Sequence, residues 1–249
     1  MVTLIIGGGS GIGYASAVRL ARRGHVVVLS GRRAAVLSEA AAKLEEAVAG
    51  ASVSAIAGDA GVEADAQAVV AEVLDVHGGL DILVNCAGVY EPVDFRDLTT
   101  ESWRRTISPT LDAQVYPAVA AARHMAEAGS GRIIPVSSVS SPLSEPLSAH
   151  YSAAKAAVSS LVRSMAVDLS AHGIQANAVA PGWIHTEMVD EFVRSVSTES
   201  LARVNLLGRV GQPDEVANVV EYLALDAPAY MTGGVVYIDG GQTAMALLP

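Results

Sequence analysis

The sequence predicts an α/β fold in one domain, residues 1–249: a doubly wound parallel sheet of about seven strands with helices on both faces. Short β-branched runs alternate with longer amphipathic segments along the whole chain, and no linker interrupts them. Hydrophobic residues make up 51% of the chain but aromatics only 4%. Such a core of Ala, Val, Leu and Ile suits a buried parallel sheet under closely packed helices. A glycine-rich turn joins the first strand to the first helix.

The elements follow in order. Val2 to Ile6 is too short for a helix and fits a buried strand. Gly7-Gly8-Gly9-Ser10-Gly11-Ile12-Gly13 comes next, and then Ala15, Val18, Leu20 and Ala21 recur at helical spacing. Strand, glycine loop, helix is the Rossmann-type layout of a dinucleotide site. Glycines let the backbone approach a pyrophosphate, and the helix start offers N–H groups to it. The loop reads Gly7-x-x-x-Gly11-x-Gly13 rather than G-x-G-x-x-G, and a plain turn can share that composition.

His25 to Leu29 is the second strand, ending in Ser30-Gly31-Arg32-Arg33. No Asp or Glu lies between His25 and Leu37. A carboxylate at this strand end would bond the 2′-hydroxyl of NAD, whereas arginine accommodates the 2′-phosphate of NADP. Two arginines are also common in a solvated turn. Helix Ala34–Ala49, strand Ser52–Ala57 with Gly58-Asp59-Ala60, helix Glu63–His77 and strand Leu80–Val84 with Asn85-Cys86-Ala87-Gly88 continue the alternation. Right-handed crossovers place the turns after the strands at one edge of the sheet, where ligands bind.

Thr100 to Ala128 reads as one long helix that Pro109 and Pro117 should kink. Strand Gly131–Val136 leads to Ser137-Ser138, and the proline-interrupted loop Ser141–Leu147 leads into a helix around Tyr151. Strand Ile174–Val179 ends in Ala180-Pro181-Gly182. The irregular stretch 186–208 has the length and mixed composition of a substrate lid. Helix Pro213–Leu225 and strand Val235–Ile238 close the pattern, before Asp239-Gly240-Gly241.

Charge and cysteine content exclude several function classes. A formal net charge of −10 disfavours nucleic acid and anionic membranes as partners. Cys86 is the sole cysteine, so neither an intramolecular disulfide nor a metal cluster is expected. Met1 to Ile6 runs straight into glycines, without a basic segment or a long apolar run. A cytoplasmic protein is therefore expected, with neither signal peptide nor membrane span.

The chemistry centres on Tyr151-Ser152-Ala153-Ala154-Lys155. Positions i and i+4 share a helix face, so Tyr151 and Lys155 sit side by side. A phenol titrates near 10, and a neighbouring ammonium should pull it down toward working pH. The pair then serves as proton donor and acceptor. Ser138, at the end of its strand, has a hydroxyl suited to holding a carbonyl oxygen during protonation. Taken alone, a Tyr-x-x-x-Lys pair is also ordinary helix surface.

Together these motifs resemble the short-chain dehydrogenase/reductase family over nearly the whole chain. The family's glycine loop is matched by Gly7, Gly11 and Gly13, its Asn-Asn-Ala-Gly turn by Asn85, Ala87 and Gly88, and its Ser, Tyr and Lys by Ser138, Tyr151 and Lys155. Pro181-Gly182 with Thr186, and Asp239-Gly240-Gly241, match two later turns. The resemblance implies hydride transfer between a nicotinamide cofactor and a ketone or secondary alcohol. Tyr151 would protonate the oxygen, Ser138 would polarise it, and Lys155 would lower the tyrosine pKa and bind the nicotinamide ribose. Gly7, Gly9, Ser10, Gly11, Ile12 and Gly13 would hold the pyrophosphate side, and Arg32 and Arg33 the 2′-phosphate. Asp59 and Ala60 would meet the adenine, and Asn85, Ala87 and Gly88 the adenosine ribose. Pro181, Gly182, Ile184 and Thr186 would hold the nicotinamide.

Three departures stand out. Ile6 replaces a Thr, Cys86 replaces an Asn, and Thr110, after Pro109, stands where the family has its fourth catalytic residue, an Asn. The resemblance gives that Asn a kinked helix whose carbonyl holds a water linked to the lysine. Here the proline is expected to open the helix, with Thr110 replacing the Asn in part.

The cofactor expected is NADP(H) in preference to NAD(H). The partner expected is a small, mostly apolar carbonyl or alcohol substrate facing Ser140, His150, Trp183 and Met188. A homodimer or homotetramer is expected from the resemblance and from the apolar tail over 244–248. Within the family, a 3-oxoacyl-[acyl-carrier-protein] reductase is the variant reading, which the net charge of −10 opposes because a carrier protein is itself acidic. Outside it stands a catalytically weak nucleotide-binding protein, since fold alone does not give function.

Overall fold

Strands Val2–Ile6 (β1), Val26–Gly31 (β2), Ser52–Ala57 (β3), Ile82–Asn85 (β4), Gly131–Pro135 (β5) and Ile174–Ala176 (β6) form one sheet in the order β3-β2-β1-β4-β5-β6. Every neighbouring pair is parallel. The structure, a computed structural model, describes residues 1–187 and 203–244. Met188 and most of the anticipated lid over 186–208 lie outside the described residues, as does all but the first residue of the apolar tail.

The strand expected over Ile174–Val179 is divided at Asn177. Beyond it, Ala178–Pro181 (β7) pairs in parallel with Val235–Ile238 (β8), and Val136 bridges to Val179. The Asn177 N–H still donates to the Ile133 carbonyl at 3.1 Å. Its side chain, however, donates to the Met231 carbonyl at 2.8 Å and accepts from the Gly234 N–H at 3.0 Å. These bonds hand the chain from β5 to β8.

Seven α-helices flank the strands among the described residues: Gly11–Arg22 (α1), Ala34–Ala47 (α2), Glu63–His77 (α3), Thr100–Ile107 (α4), Ala113–Ala128 (α5), Ala149–Leu169 (α6) and Pro213–Glu221 (α7). Side chains alternate across a strand. Ile5 therefore packs with residues of α1, α2 and α7, while Leu4 and Ile6 pack with residues of α3, α5 and α6. Leu4, Ile5, Leu29, Ile82 and Leu83 are fully buried, each a contribution of about 1.5–3 kcal/mol relative to exposure. None of the helices is long and apolar enough to cross a membrane among the described residues.

Two helices differ from expectation. The long helix over 100–128 is opened by a π-turn, Ser108–Asp112, between α4 and α5. Pro109 has no N–H to give the Arg105 carbonyl, and the ladder re-forms with Ala113 N–H on the Ser108 carbonyl. The helix from Pro213 stays α-helical only to Glu221 and continues as a π-turn, Tyr222–Asp226. The strand order reverses between β1 and β4, so a crevice opens at their carboxyl ends.

Candidate active site

A cleft of about 380 Å³ fills that crevice. On one side is the turn from β1 to α1. The N–H groups of Gly7 and Gly8 both donate to the Ser30 carbonyl, at 2.8 and 3.2 Å, which binds the glycine turn to β2. A β-carbon on Gly13 would lie 2.1 Å from the Gly7 carbonyl oxygen, so only glycine allows α1 to start this close to the turn. Gly11 adopts φ +53°, with the Thr186 side chain against it. Gly9, Ser10 and Ile12 also line the cleft. The first turn of α1 carries no acidic residue, leaving its positive dipole end uncompensated.

Arg32 and Arg33, at the end of β2, are exposed and line the cleft. Asp59 and Ala60, Ala87 and Gly88, and Pro181, Gly182 and Ile184 line it as well. This glycine cradle, which a β-carbon would fill, fits a dinucleotide: a pyrophosphate beside α1 and a ribose phosphate beside the arginines.

Ser138, Tyr151 and Lys155 meet at the other end of the same cleft. The Ser137 hydroxyl clamps the end of β5 to α6, donating to the Lys155 carbonyl at 3.1 Å and sharing a bond with the Ser159 hydroxyl at 2.7 Å. The Lys155 ammonium lies 5.6 Å from the Tyr151 ring centroid and donates to the Val136 carbonyl at 2.8 Å. Tyr90 packs edge-on against Tyr151, with ring centroids 5.3 Å apart.

The electrostatics correct one expectation. Burial pushes the Tyr151 phenol up to about 12, with hydrogen bonding to Ser138 pulling the other way. Burial also pushes the Lys155 ammonium down to about 8. Taking either group out of water penalises its charged form, so in this protein alone the lysine does not bring the tyrosine down.

Several predicted residues do other work. Asn85 is buried and does not line the cleft: its amide donates to the Ala113 carbonyl at 2.7 Å and accepts from the Ala87 N–H at 3.1 Å. It ties the turn after β4 to the start of α5. Thr110 is fully buried and outside the cleft, where its hydroxyl accepts from the Val89 N–H at 3.1 Å and donates to the Val89 carbonyl at 3.3 Å. It positions that turn rather than touching a reacting atom. Ser140 is spent on Ser138, with its N–H donating to the Ser138 hydroxyl at 3.1 Å. His150 is fully buried at the start of α6, and neither ring nitrogen has a hydrogen-bond partner among the described residues. It does not line the cleft. Trp183 follows Gly182 and donates its indole N–H to Glu145 at 3.1 Å.

Glu145 escaped the sequence reading although it is the only acidic residue between Ser138 and Tyr151. Its environment raises its carboxyl pKa, mainly through burial. Among the described residues no group of acidic, histidine or cysteine side chains is arranged to hold a metal ion.

The π-turn gives a direct test. Pro109 lines the cleft and Thr110 holds Val89. Pro109→Ala restores a donor for the Arg105 carbonyl, and the expected result is a straighter helix that withdraws Thr110 from Val89. Turnover should fall about tenfold, less than the roughly hundredfold a 1 Å misplacement can cost. Thr110→Ala takes the partner from the part-buried Val89 N–H and carbonyl and should cost about 1 kcal/mol in denaturant unfolding. If Pro109→Ala changes neither helix geometry nor rate, the proline has no positioning role.

Comparison with known proteins follows the same lines. The family model described as enoyl-(acyl carrier protein) reductase matches residues 7–243. A cis-4-hydroxycyclohexanecarboxylate dehydrogenase of Sinomonas cyclohexanicum is 38% identical over 245 residues, 98% of this chain and 97% of that protein. A 3-oxoacyl-[acyl-carrier-protein] reductase of Synechocystis is 33% identical, covering 97% of this chain and 96% of its own. The crystal structure of a levodione reductase superposes with a TM-score of 0.93 at 32% identity, over 98% of both chains.

Proposed function

The chain belongs to the short-chain dehydrogenase/reductase family, and from that premise we propose that it is an NADPH-dependent reductase of a small, mostly apolar ketone, acting in the cytoplasm. The family comprises oxidoreductases that act on CH–OH and C=O groups with nicotinamide cofactors. The observation that carries the finer one is the meeting of Ser138, Tyr151 and Lys155 in the cleft that Arg32 and Arg33 also line.

A nicotinamide cofactor bound in this cleft supplies or accepts hydride. Gly7 to Gly13 and the start of α1 hold the pyrophosphate end. Pro181, Gly182, Ile184 and Thr186 hold the nicotinamide end. Ser138 holds the carbonyl oxygen, and the Tyr151 hydroxyl gives it a proton. The Lys155 ammonium anchors the ribose and stabilises the phenolate that results.

Arginine pairs with phosphate through charge-assisted contacts. Arg32→Asp should invert the cofactor preference, with the NADPH to NADH ratio of kcat/KM falling by ten- to hundredfold, about 1.5–3 kcal/mol. Better efficiency of the wild type with NADH would refute the assignment. A carrier-protein substrate is favoured by the names of two matches but opposed by the net charge of −10. Self-association into a homodimer or homotetramer is supported by Val119 on α5 and Val167 on α6, which are 46% and 78% exposed.

A further inference from the structure

Behind Gly182, which lines the cleft with Tyr151, Glu145, Trp183 and Gln242 form a second layer of wall. Glu145 accepts from the Trp183 indole at 3.1 Å and from the Gln242 side-chain amide at 3.5 Å. The Gln242 Oε1 is buried and has no partner among the described residues. It lies over Gly182, a cleft residue, 3.3 Å from where a β-carbon would project. Rotating the amide to satisfy this oxygen would set it against the Glu145 carboxylate, so the orphan acceptor is built in.

The loop is held to present this wall. The Ser148 hydroxyl donates to the Glu145 carbonyl at 2.6 Å and accepts from the Glu145 N–H at 3.3 Å. Leu147, at φ +62°, is the one non-glycine residue in the left-handed region among the described residues, and its carbonyl accepts from Val93 at 2.9 Å. A leucine in that conformation is strained, and such strain persists where surrounding contacts impose it. The Glu145 charge also acts on its neighbours, holding up the pKa of both Tyr151 and Tyr90.

We propose that Glu145, Trp183 and Gln242 form a specificity site that takes a hydrogen-bond donor, a hydroxyl or an ammonium group, on the end of the substrate remote from the reacting carbonyl, and turns away a carboxylate or phosphate there. This rests on the reductase reading above. A donor satisfies the free Gln242 oxygen and the half-buried carboxylate together. An anion meets the like charge of Glu145 in a poorly solvated site. The dehydrogenase of Sinomonas cyclohexanicum takes, by its name, a ring that carries a carboxylate; this chain should discriminate against that group.

The test compares cyclohexanone with its 4-hydroxy, 4-amino and 4-carboxylate derivatives. NADPH oxidation gives kcat/KM, and Trp183 fluorescence in a Trp103→Phe background gives binding. The hydroxy and amino ketones should exceed cyclohexanone by about tenfold, and the carboxylate should fall about tenfold below it. Glu145→Gln should abolish the advantage of the amine, keep part of that of the alcohol, and relieve the penalty on the carboxylate. Gln242→Met, a second variant, should reduce the advantage of both donors. A carboxylate preferred over cyclohexanone, or an order untouched by both variants, overturns the inference. Turnover without this order also overturns it while leaving the reductase reading intact. Binding in this order without turnover sustains it and removes the reductase reading. No response to any probe overturns it as well.

Discussion

Tyr151→Phe should reduce turnover by two to four orders of magnitude, the range in which general acid catalysis contributes. Phenylalanine keeps the ring that packs edge-on against Tyr90 at 5.3 Å, so stability and cofactor affinity should hold. Only the transferable proton is lost. Burial raises the phenol to about 12, so the wild type enters the reaction as a proton donor throughout the neutral range. Ketone reduction should thus be nearly flat across neutral pH. Alcohol oxidation, which needs the phenolate, should rise with pH. Steady-state rates in both directions from pH 6 to 10 check this, and more than half the wild-type rate in Tyr151→Phe would remove tyrosine from the mechanism.

Lys155→Met should lose turnover to a similar degree and gain stability. Holding a lysine at about 8 instead of 10.5 costs the folded state about 3 kcal/mol at neutral pH. The variant removes that cost but leaves the Val136 carbonyl without its 2.8 Å donor, which returns about 1–2 kcal/mol. A net gain of about 1–2 kcal/mol corresponds to a Tm higher by roughly 2–8 °C for a chain of this size. The pH dependence has a definite sign. Between about 8 and 10.5 the unfolded lysine keeps a proton that the folded one has released, so Lys155 makes wild-type stability rise with pH across that window. Lys155→Met should lack this rise. A lower Tm in the variant would mean that the lysine contributes more through its bond to Val136 than it costs through burial.

The two groups show how far the sequence reaches into the site. Tyr151 and Lys155 are readable because four residues along a helix bring side chains to one face whatever surrounds them. Their titration is not, because it depends on how much water the neighbours exclude. The spacing by itself suggested a lowered phenol, and burial reverses the direction. Asn85 and Thr110 teach the same lesson about hydrogen bonds. Each occupies its anticipated place in the chain, but the Asn85 side chain is claimed by Ala113 and the Thr110 side chain by Val89, 28 and 21 residues away. Pro109 was legible in the opposite sense: a missing N–H is a local fact, and the helix opens where that fact requires.

The sequence by itself determined the alternation of strand and helix, the glycine turn, the paired tyrosine and lysine, and the arginines at the end of β2. All of these follow from periodicity and backbone constraints within a few residues. The tertiary structure alone decided the break at Asn177, the burial of Tyr151 and Lys155, and the wall around Glu145. The partners of that carboxylate lie 38 and 97 residues away, at Trp183 and Gln242. No local pattern encodes which distant group will meet a side chain, because that is settled by the packing of whole elements and by the need to pair polar groups once water is excluded.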